Sequence, residues 1–565
     1  MDNEGVAGVL EQLADLLEIE GASPFRVRAY RGAARTVGAL ASPVGSLPES
    51  GPGALDELPG IGKDLAGKIR EIAATGELAL LNELKERTPE SLLGLLEIPG
   101  MGPKRAKAIY DGLGIDSIAS LEKAAKEGRL RQLKGVGPKL EAQILEGIAA
   151  RALRGKRIPI SEADAEVAPI LERLRNTPGV GALEVAGSYR RRRDTVGDVD
   201  ILVTATDGAK EIGKQLATYS GVIKVLAEGD TKTSVVLASG LQVDMRVVPP
   251  ESFGAAMHYF TGSKAHNVAI RMLGVRKNLK INEYGVFEGE NRISGEREED
   301  VFASVGLTFV PPEMREDRGE IDAARDYKLP TLCAPTDLRG DVVEVVATER
   351  LDKIVLDLAE AARARGYAYL VVLGPQEMTQ PGGGDTRRKF LHAITHARTK
   401  VKHLALHAGA TVDVRDDGSV VAEPGSLDDV EVVRVELANA NALEEKVRTA
   451  RLLAAIKSGR VQMIARPTAV FQKEKLAQID AEAIAKAAKK HGVLLEVDAR
   501  PERLANADGY ARVARDVGAS VMLASHATTS GELERIRYGL DQARRGWCSA
   551  SDIVDTEKTP KFVKA

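Results

Sequence analysis

The chain has 565 residues, 44% apolar and 28% charged, with a formal net charge of −3; at about 100 to 200 residues per domain it should form several domains. Nothing in it reaches the ~18 consecutive apolar residues of a membrane span, residues 1–4 lack the flank of a secretion signal, and Cys333 and Cys548 offer neither a disulfide framework nor a cysteine metal site. A cytoplasmic protein is expected, and with so balanced a charge any nucleic-acid partner must be argued from local features.

In chain order, residues 1–80 read as helices. Residues 6–19 are amphipathic, and Ser23-Pro24 opens Phe25-Arg26-Val27-Arg28-Ala29-Tyr30-Arg31. Aromatics among arginines suit a nucleic-acid surface or a solvated helix face equally well. A local repeat follows: Leu58-Pro59-Gly60-Ile61-Gly62-Lys63, Ile98-Pro99-Gly100-Met101-Gly102-Pro103 and Leu133-Lys134-Gly135-Val136-Gly137-Pro138. Each Gly-apolar-Gly precedes a helical pattern, over residues 64–72, 104–110 and 139–148. Paired glycines let the backbone turn and approach a ligand, and the following helix starts with free N–H groups. Three such loops would track a phosphate backbone without reading bases.

Next comes Gly187-Ser188-Tyr189, four arginines (Arg190 to Arg193), and Gly197-Asp198-Val199-Asp200 leading into an apolar run. On a strand Asp198 and Asp200 face the same way. Residues 241–248 read as another alternating strand, with Asp244 at its centre; lying beside the first, it would complete a three-carboxylate site for hard divalent cations. Core packing is the plain expectation for the adjacent aromatics Tyr259-Phe260. The charged run 313–320 reads as a linker. From residue 333 onward strand-like runs (369–373, 430–437, 461–465, 494–497, 521–523) alternate with helical ones (352–365, 481–491), which predicts parallel α/β units in a distorted (β/α) barrel.

The hairpin loops and the Gly-Ser…Asp-x-Asp stretch together resemble the family X DNA polymerases, the class of DNA polymerase beta, from residue 1 to about 320. The resemblance implies a nucleotide and metal site at Gly187, Ser188, Arg191, Gly197, Asp198 and Asp200, with Asp244 as third ligand, two Mg²⁺ or Mn²⁺ ions, and Asp244 as acceptor of the primer hydroxyl's proton. The nucleotide-selecting motif corresponds to Tyr259-Phe260-Thr261-Gly262-Ser263 with Asn267 and Arg271, and a later one to Asn282-Glu283-Tyr284. Lys264 after that Gly-Ser, and Gln242 before Asp244, depart from the vertebrate pattern. Gly60, Gly62, Gly100, Gly102, Gly135 and Gly137 are the implied DNA-backbone contacts. Lys68 stands where family members form a Schiff base with 5′-deoxyribose phosphate; Tyr30 matches its companion, but Phe25 and Asp64 replace basic positions.

The implied division is a lyase-like helical domain with the first hairpin (1–80), a fingers-like DNA-binding subdomain with two more (81–155), an α+β nucleotidyltransferase palm (156–250), a thumb-like nucleotide-selecting subdomain (251–318), a linker (319–332) and a C-terminal domain (333–565). The last resembles the polymerase and histidinol phosphatase (PHP) domain, down to Ile536-Arg537-Tyr538-Gly539 and Ala543-Arg544-Arg545-Gly546-Trp547. Its metal motifs are altered. Arg339 and Asp341 replace the two histidines of the first, Leu373-Gly374-Pro375 and Ala465-Arg466-Pro467-Thr468 replace two more, Thr411 stands for a glutamate, and the last reads His526-Ala527-Thr528. No metal nuclease of the usual kind is expected there. His392, His396, His403 and His407 have i, i+4 spacings that would put pairs on one helix face, where solvated or capping residues are the plainer expectation and a relocated ligand set the alternative. The expected function is gap-filling, template-directed DNA synthesis in repair by a monomer, with gapped or primed DNA and deoxynucleoside triphosphates as substrates and no membrane contact. A nuclease or phosphoesterase in the C-terminal domain and a non-catalytic DNA-binding scaffold are the alternatives.

Overall fold

A computed structural model describes residues 3–38, 44, 55–58, 60–96, 98, 101–133, 135–154, 157–205, 208–438, 440–465 and 479–556. The chain divides into two compact units, Met1–Lys156 and Arg157–Ala565. No helix among the described residues is long and apolar enough to cross a membrane.

The first unit is helical. Asn3–Ile19, Pro24–Gly38, Lys63–Thr75, Pro103–Leu113 and Pro138–Arg154 are its longer helices, and their apolar stripes (Leu10, Leu13, Ile69, Ile72, Ile109, Ile144) meet in one core. The repeat is a repeat in geometry as well. Ile61 N–H donates to Leu58 O (3.0 Å), Met101 to Ile98 (2.9 Å) and Val136 to Leu133 (3.1 Å). In each loop the middle apolar residue is buried, which pins the turn to the core, while Gly60, Gly62, Gly102, Gly135 and Gly137 stay outside.

The second unit opens with a five-stranded sheet. We label its strands β1 (Val180–Val185), β2 (Asp198–Ala205), β3 (Val222–Glu228), β4 (Lys232–Leu237) and β5 (Gln242–Val248). Their order is β1-β2-β5-β4-β3, with β2 and β5 parallel and the other pairs antiparallel. Val199, Ile201, Val203, Val243 and Met245 form a core with the helix Ile160–Arg175. Leu202, on the opposite face, packs under Ala256 and Met257 of the helix Phe253–Thr261. A three-stranded meander (Leu279–Asn282, Gly285–Glu288, Asn291–Ser294) and the helix Glu298–Ser304 follow.

The last sheet carries seven parallel strands adjacent in sequence order, β6 (Val342–Glu344), β7 (Tyr369–Leu373), β8 (Ala405–Val414), β9 (Val432–Val435), β10 (Met463–Ile464), β11 (Leu494–Asp498) and β12 (Val521–Ala524), with the short strand Val420–Val421 pairing antiparallel to the end of β8. The backbone brings the last against the first: His526 N–H donates to Val342 O (3.0 Å) and Glu344 N–H to Ala527 O (3.1 Å). A nearly closed parallel barrel results. Helices cover it outside, so a strand such as β7 is buried on both faces and reads as continuous apolar sequence.

Two expectations fail. The stretch 313–332 is no linker: Glu320–Arg325 is a helix, Ile321 and Ala324 join a core with Phe302 and Trp547, and Glu320 is fully buried. Its charges mislead because they are paired, Arg315 with Glu298 (2.5 Å), Glu313 with Arg544 (2.8 Å) and Glu320 with His266 (2.8 Å). The second histidine pair is not helical either. His392 and His396 share the helix Gly384–Lys400, but Val401 turns extended, His403 sits in a turn at φ 63°, and His407 lies on β8. Alternating burial along Ala405–Val414 marks a half-buried strand, and the histidine spacing hid it.

Candidate active site

The pairing of β2 with β5 builds the site. Asp200 lies opposite Asp244 across the two parallel strands, Asp198 opposite Gln242, and Leu202 opposite Arg246. Asp198 and Asp200 therefore share the face on which Leu202 is covered by the helix Phe253–Thr261. Gln242 Nε2 donates to both oxygens of Asp244 (3.0 and 2.9 Å), so an uncharged amide orients that carboxylate. Burial, with the charges of Asp198 and Asp244 close by, pushes the Asp200 carboxyl up to about 7. Three carboxylates facing one another are the oxygen donor set that a hard divalent cation relieves. The residues fit such an ion.

Gly187 is held against this cluster. Ala186 N–H donates to Asp200 O (2.8 Å), Gly187 has φ +66°, and a Cβ there would come 2.9 Å from Asp200 Oδ2. Only glycine meets both conditions. Ser188 follows in the one-turn helix Gly187–Arg190. Gly197, before Asp198, packs against Arg157, whose Nη1 would lie 3.4 Å from a Cβ.

The four arginines divide their partners. Arg190 makes a fork to Glu298 (2.9 and 2.8 Å) and donates to Thr261 Oγ1 (2.7 Å). Arg191 is buried, donates through Nη1 to Thr261 O (2.6 Å), and pairs through Nε with Glu316 (3.1 Å). Arg192 grips Asp164 (2.9 and 3.1 Å) and Asp541 (2.8 Å). Arg193 is the most exposed of the four, at 40%. Arg190 and Arg191 thus tie the Gly-Ser turn to Thr261-Gly262, so these two segments, 70 residues apart, share one wall. Tyr259 and Phe260, half-buried, meet edge to face at 5.1 Å, and Arg246 stacks on Phe260 at 4.7 Å. Asn267 Nδ2 donates to Tyr259 O (2.6 Å), so Asn267 holds the aromatic pair from behind, and Arg271 one turn on is exposed.

In the helical unit Gly60, Gly62, Gly102, Gly135 and Gly137 all face open space; a Cβ on any of them would meet nothing within 4 Å. Gly60 and Gly135 need glycine for their φ of +80° and +88°. Gly100 lies outside the described residues. Lys68, Tyr30, Arg26 and Asp64 line a hollow of about 550 Å³. Lys68 Nζ is bonded to Asp64 one turn before it. Tyr30 is buried and Arg31 pairs with Asp15 and Glu18 (2.7 Å each), so the aromatic exposed in that segment is Phe25, with Arg28 stacked at 4.8 Å.

A second acid cluster lies at the carboxyl ends of the barrel strands, where such barrels place ligands. Ligand atoms of Glu496, Asp498 and His526 lie within 4.8 Å of one another. Arg434, from β9, already fills this cluster. It forks onto Glu496 (2.5 and 2.8 Å) and reaches Glu436 (2.6 Å), while Arg500 forks onto Asp498 (2.6 Å). Burial would depress the His526 imidazole, yet Glu496 and Asp498 outweigh it and raise it to about 9. Arg434 and Arg500 already pair with these carboxylates, so the cluster does not fit a resident ion as it stands. Asp341, at a motif histidine's position, instead accepts from Val342 N (2.7 Å) and Ser525 N (2.9 Å), joining first strand to last. Thr411 lies beside Arg434 (3.4 Å). The segment Arg466-Pro467-Thr468 lies outside the described residues. Sequence reasoning missed Glu496 and Asp498, although Glu-Val-Asp at a strand end repeats the alternation that singles out Asp198 and Asp200.

A mixed sheet carrying three carboxylates beside a Gly-Ser turn, with an aromatic pair on the neighbouring helix, defines a nucleotidyltransferase palm. Residues 157–261 match the DNA polymerase beta palm, residues 256–316 its thumb, residues 1–78 a helix-hairpin-helix domain, and residues 92–150 a SAM-like helix-hairpin-helix tandem. The chain is 29% identical to the DNA polymerase/3'-5' exonuclease PolX of Bacillus subtilis, over 98% of its own length and 97% of that protein's. It is 27% identical to DNA polymerase lambda of Rattus norvegicus, over 54% of this chain and 55% of the relative, and 27% identical to that of Arabidopsis thaliana, over 46% and 53%. Helix-hairpin-helix, palm and thumb matches in this order are the domain set of a family X DNA polymerase, and the nearly closed parallel barrel that follows is consistent with a domain of PHP type. These polymerases are metal-dependent.

Proposed function

We infer that this protein is a template-directed, gap-filling DNA polymerase of DNA repair, transferring a deoxynucleotide to a primer 3′-hydroxyl with release of pyrophosphate. The observation that carries this reading is the register of Asp200 opposite Asp244 with Asp198 on the same face. Asp198, Asp200 and Asp244 would hold two Mg²⁺ or Mn²⁺ ions; when bound, such ions lower the pKa of the attacking hydroxyl and balance charge on the leaving group. Ser188 and Arg191 hold the triphosphate, Tyr259 and Phe260 stand against the sugar edge, and Asn267 and Arg271 support and extend that wall. Asp244, oriented by Gln242, accepts the hydroxyl proton. The glycine loops at Gly60, Gly62, Gly100, Gly102, Gly135 and Gly137 bind DNA phosphates on residues 1–80 and 81–155, while palm and thumb span 156–250 and 251–318. The protein acts as a monomer in the cytoplasm.

Primer extension on gapped DNA tests the reading. Extension by the full chain should vanish in the double variant Asp198→Ala with Asp200→Ala; extension that persists there overturns it. Lys68 carries a second activity in this reading, attack on a 5′-deoxyribose phosphate, for which the amine must leave Asp64 and lose its proton. Borohydride should then trap a protein–DNA cross-link that Lys68→Ala abolishes, and no cross-link with the intact chain means no lyase. The Bacillus relative's name also includes a 3′-5′ exonuclease. Convergence of Glu496, Asp498 and His526 favours that alternative, whereas their pairing with Arg434 and Arg500 opposes it.

A further inference from the structure

The helix Ile536–Arg545 belongs by sequence to the barrel domain, yet one of its faces is spent on the polymerase palm and thumb. Tyr538, with Leu504, is part of the palm core, and Trp547 just beyond is part of the thumb core. Arg537 pairs with Asp164 (3.2 Å), and Asp541 accepts from Arg192 (2.8 Å). Arg544 donates to Glu313 (2.9 and 2.8 Å) and to Cys333 O (2.7 Å).

Two contacts differ from the rest because they end on the backbone of the nucleotide-binding turn. Arg545 Nη1 donates to Arg191 O (2.8 Å) and Gln542 Nε2 to Arg192 O (3.1 Å). Arg191 and Arg192 directly follow the one-turn helix Gly187–Arg190, at a helix end where carbonyls lack intrahelical donors. Arg545 Nη1 also donates to Glu316 Oε1 (3.0 Å), the same oxygen that accepts from Arg191 Nε (3.1 Å). Its Nη2 reaches Asp508 (3.0 Å), and at 2% exposure the guanidinium has no freedom to swing away. Arg191 is therefore fixed at its backbone and, through Glu316, at its side chain by one residue 354 positions later.

We propose that Arg545, assisted by Gln542, is a positioning residue of the polymerase reaction: the barrel domain sets the Ser188–Arg193 turn in the shape that receives the incoming triphosphate. This rests on the polymerase reading above and adds a role for the C-terminal domain that needs no chemistry of its own. A rigid turn loses little order when the triphosphate binds, and sub-ångström misplacement of its donors weakens nucleotide capture before it alters the reacting groups. The effect should fall on KM rather than on kcat.

The test is single-nucleotide gap filling by the full chain, with KM for the deoxynucleotide and kcat measured separately. Arg545→Ala should raise KM on the order of tenfold with kcat changed far less, and Arg545→Lys, which keeps one donor, should recover part of it. Gln542→Ala removes only the neutral donor to Arg192 O and should raise KM by a smaller factor in a chain that folds normally. Arg544→Ala loosens the same interface without touching the turn and should leave KM unchanged. Equal KM shifts in Arg544→Ala and Arg545→Ala, or an unchanged KM in both Arg545→Ala and Gln542→Ala, would overturn the proposal while leaving the polymerase reading intact. A wild-type chain that extends no primer would instead sink that reading and this one with it.

Discussion

The palm and the barrel mouth carry acid clusters of similar make-up in opposite electrostatic states. In the palm, Asp198, Asp200 and Asp244 converge with an amide, Gln242, on Asp244, and the result is a carboxyl held up to about 7. At the barrel mouth, Glu436, Glu496 and Asp498 converge with Arg434 and Arg500 among them, and the Glu496 carboxyl is held far below its usual range because Arg434 outweighs the cost of its burial. The first arrangement calls for a cation from solution. The second supplies its own. Acids at strand ends are therefore weak indicators of a metal site until the basic side chains around them have been placed.

The largest expected effect concerns the palm. Replacing Asp198 and Asp200 by Ala should reduce primer extension by on the order of a thousandfold or more, while the corresponding change at the barrel mouth, Glu496→Gln, should leave extension within a few-fold. Equal losses would break the distinction. Next is the barrel itself: Arg434→Ala leaves buried carboxylates unpaired and should destabilise the domain by about 3 to 5 kcal/mol. Made in the Asp198→Ala, Asp200→Ala background, it should also let Mn²⁺ raise the melting temperature, which the parent would not show; a Mn²⁺ response already present in that parent would mean that the mouth accepts an ion despite Arg434. The smallest effect is in pH. A carboxyl whose folded value lies above its usual one binds its proton more tightly in the fold, so the stability it contributes is present at low pH and lost as pH rises through about 7. A divalent ion must displace that proton. Calorimetric titration should accordingly show tighter cation binding from pH 6 to 8 and proton release that fades above pH 7, and both trends should flatten in Asp200→Asn.

Much of this was legible because it is periodic. The alternation around Asp198 and Asp200 fixes their common face, and the centre of residues 241–248 supplies the third carboxylate. The three glycine loops recur with the same Leu58–Ile61 type of turn bond. Spacing misled where charges were paired at long range. Residues 313–332 look like a solvated linker until Glu298, His266 and Arg544 are seen opposite them. Nothing near Arg191 along the chain shows that Glu316 and Thr261 hold its guanidinium in place.

By itself the sequence determined which residues could do chemistry and on which face of a strand each would stand, because strand and helix periods are local properties of the backbone. Only the tertiary structure decided which of those groups are already satisfied. That depends on partners such as Arg434 for Glu496, 62 residues apart, and Arg545 for Arg191, 354 apart. Ionic and hydrogen-bond pairing acts through space and carries no period along the chain, so the same Asp-x-Asp and Glu-x-Asp patterns end as an open cation site in one domain and a closed ion network in the other.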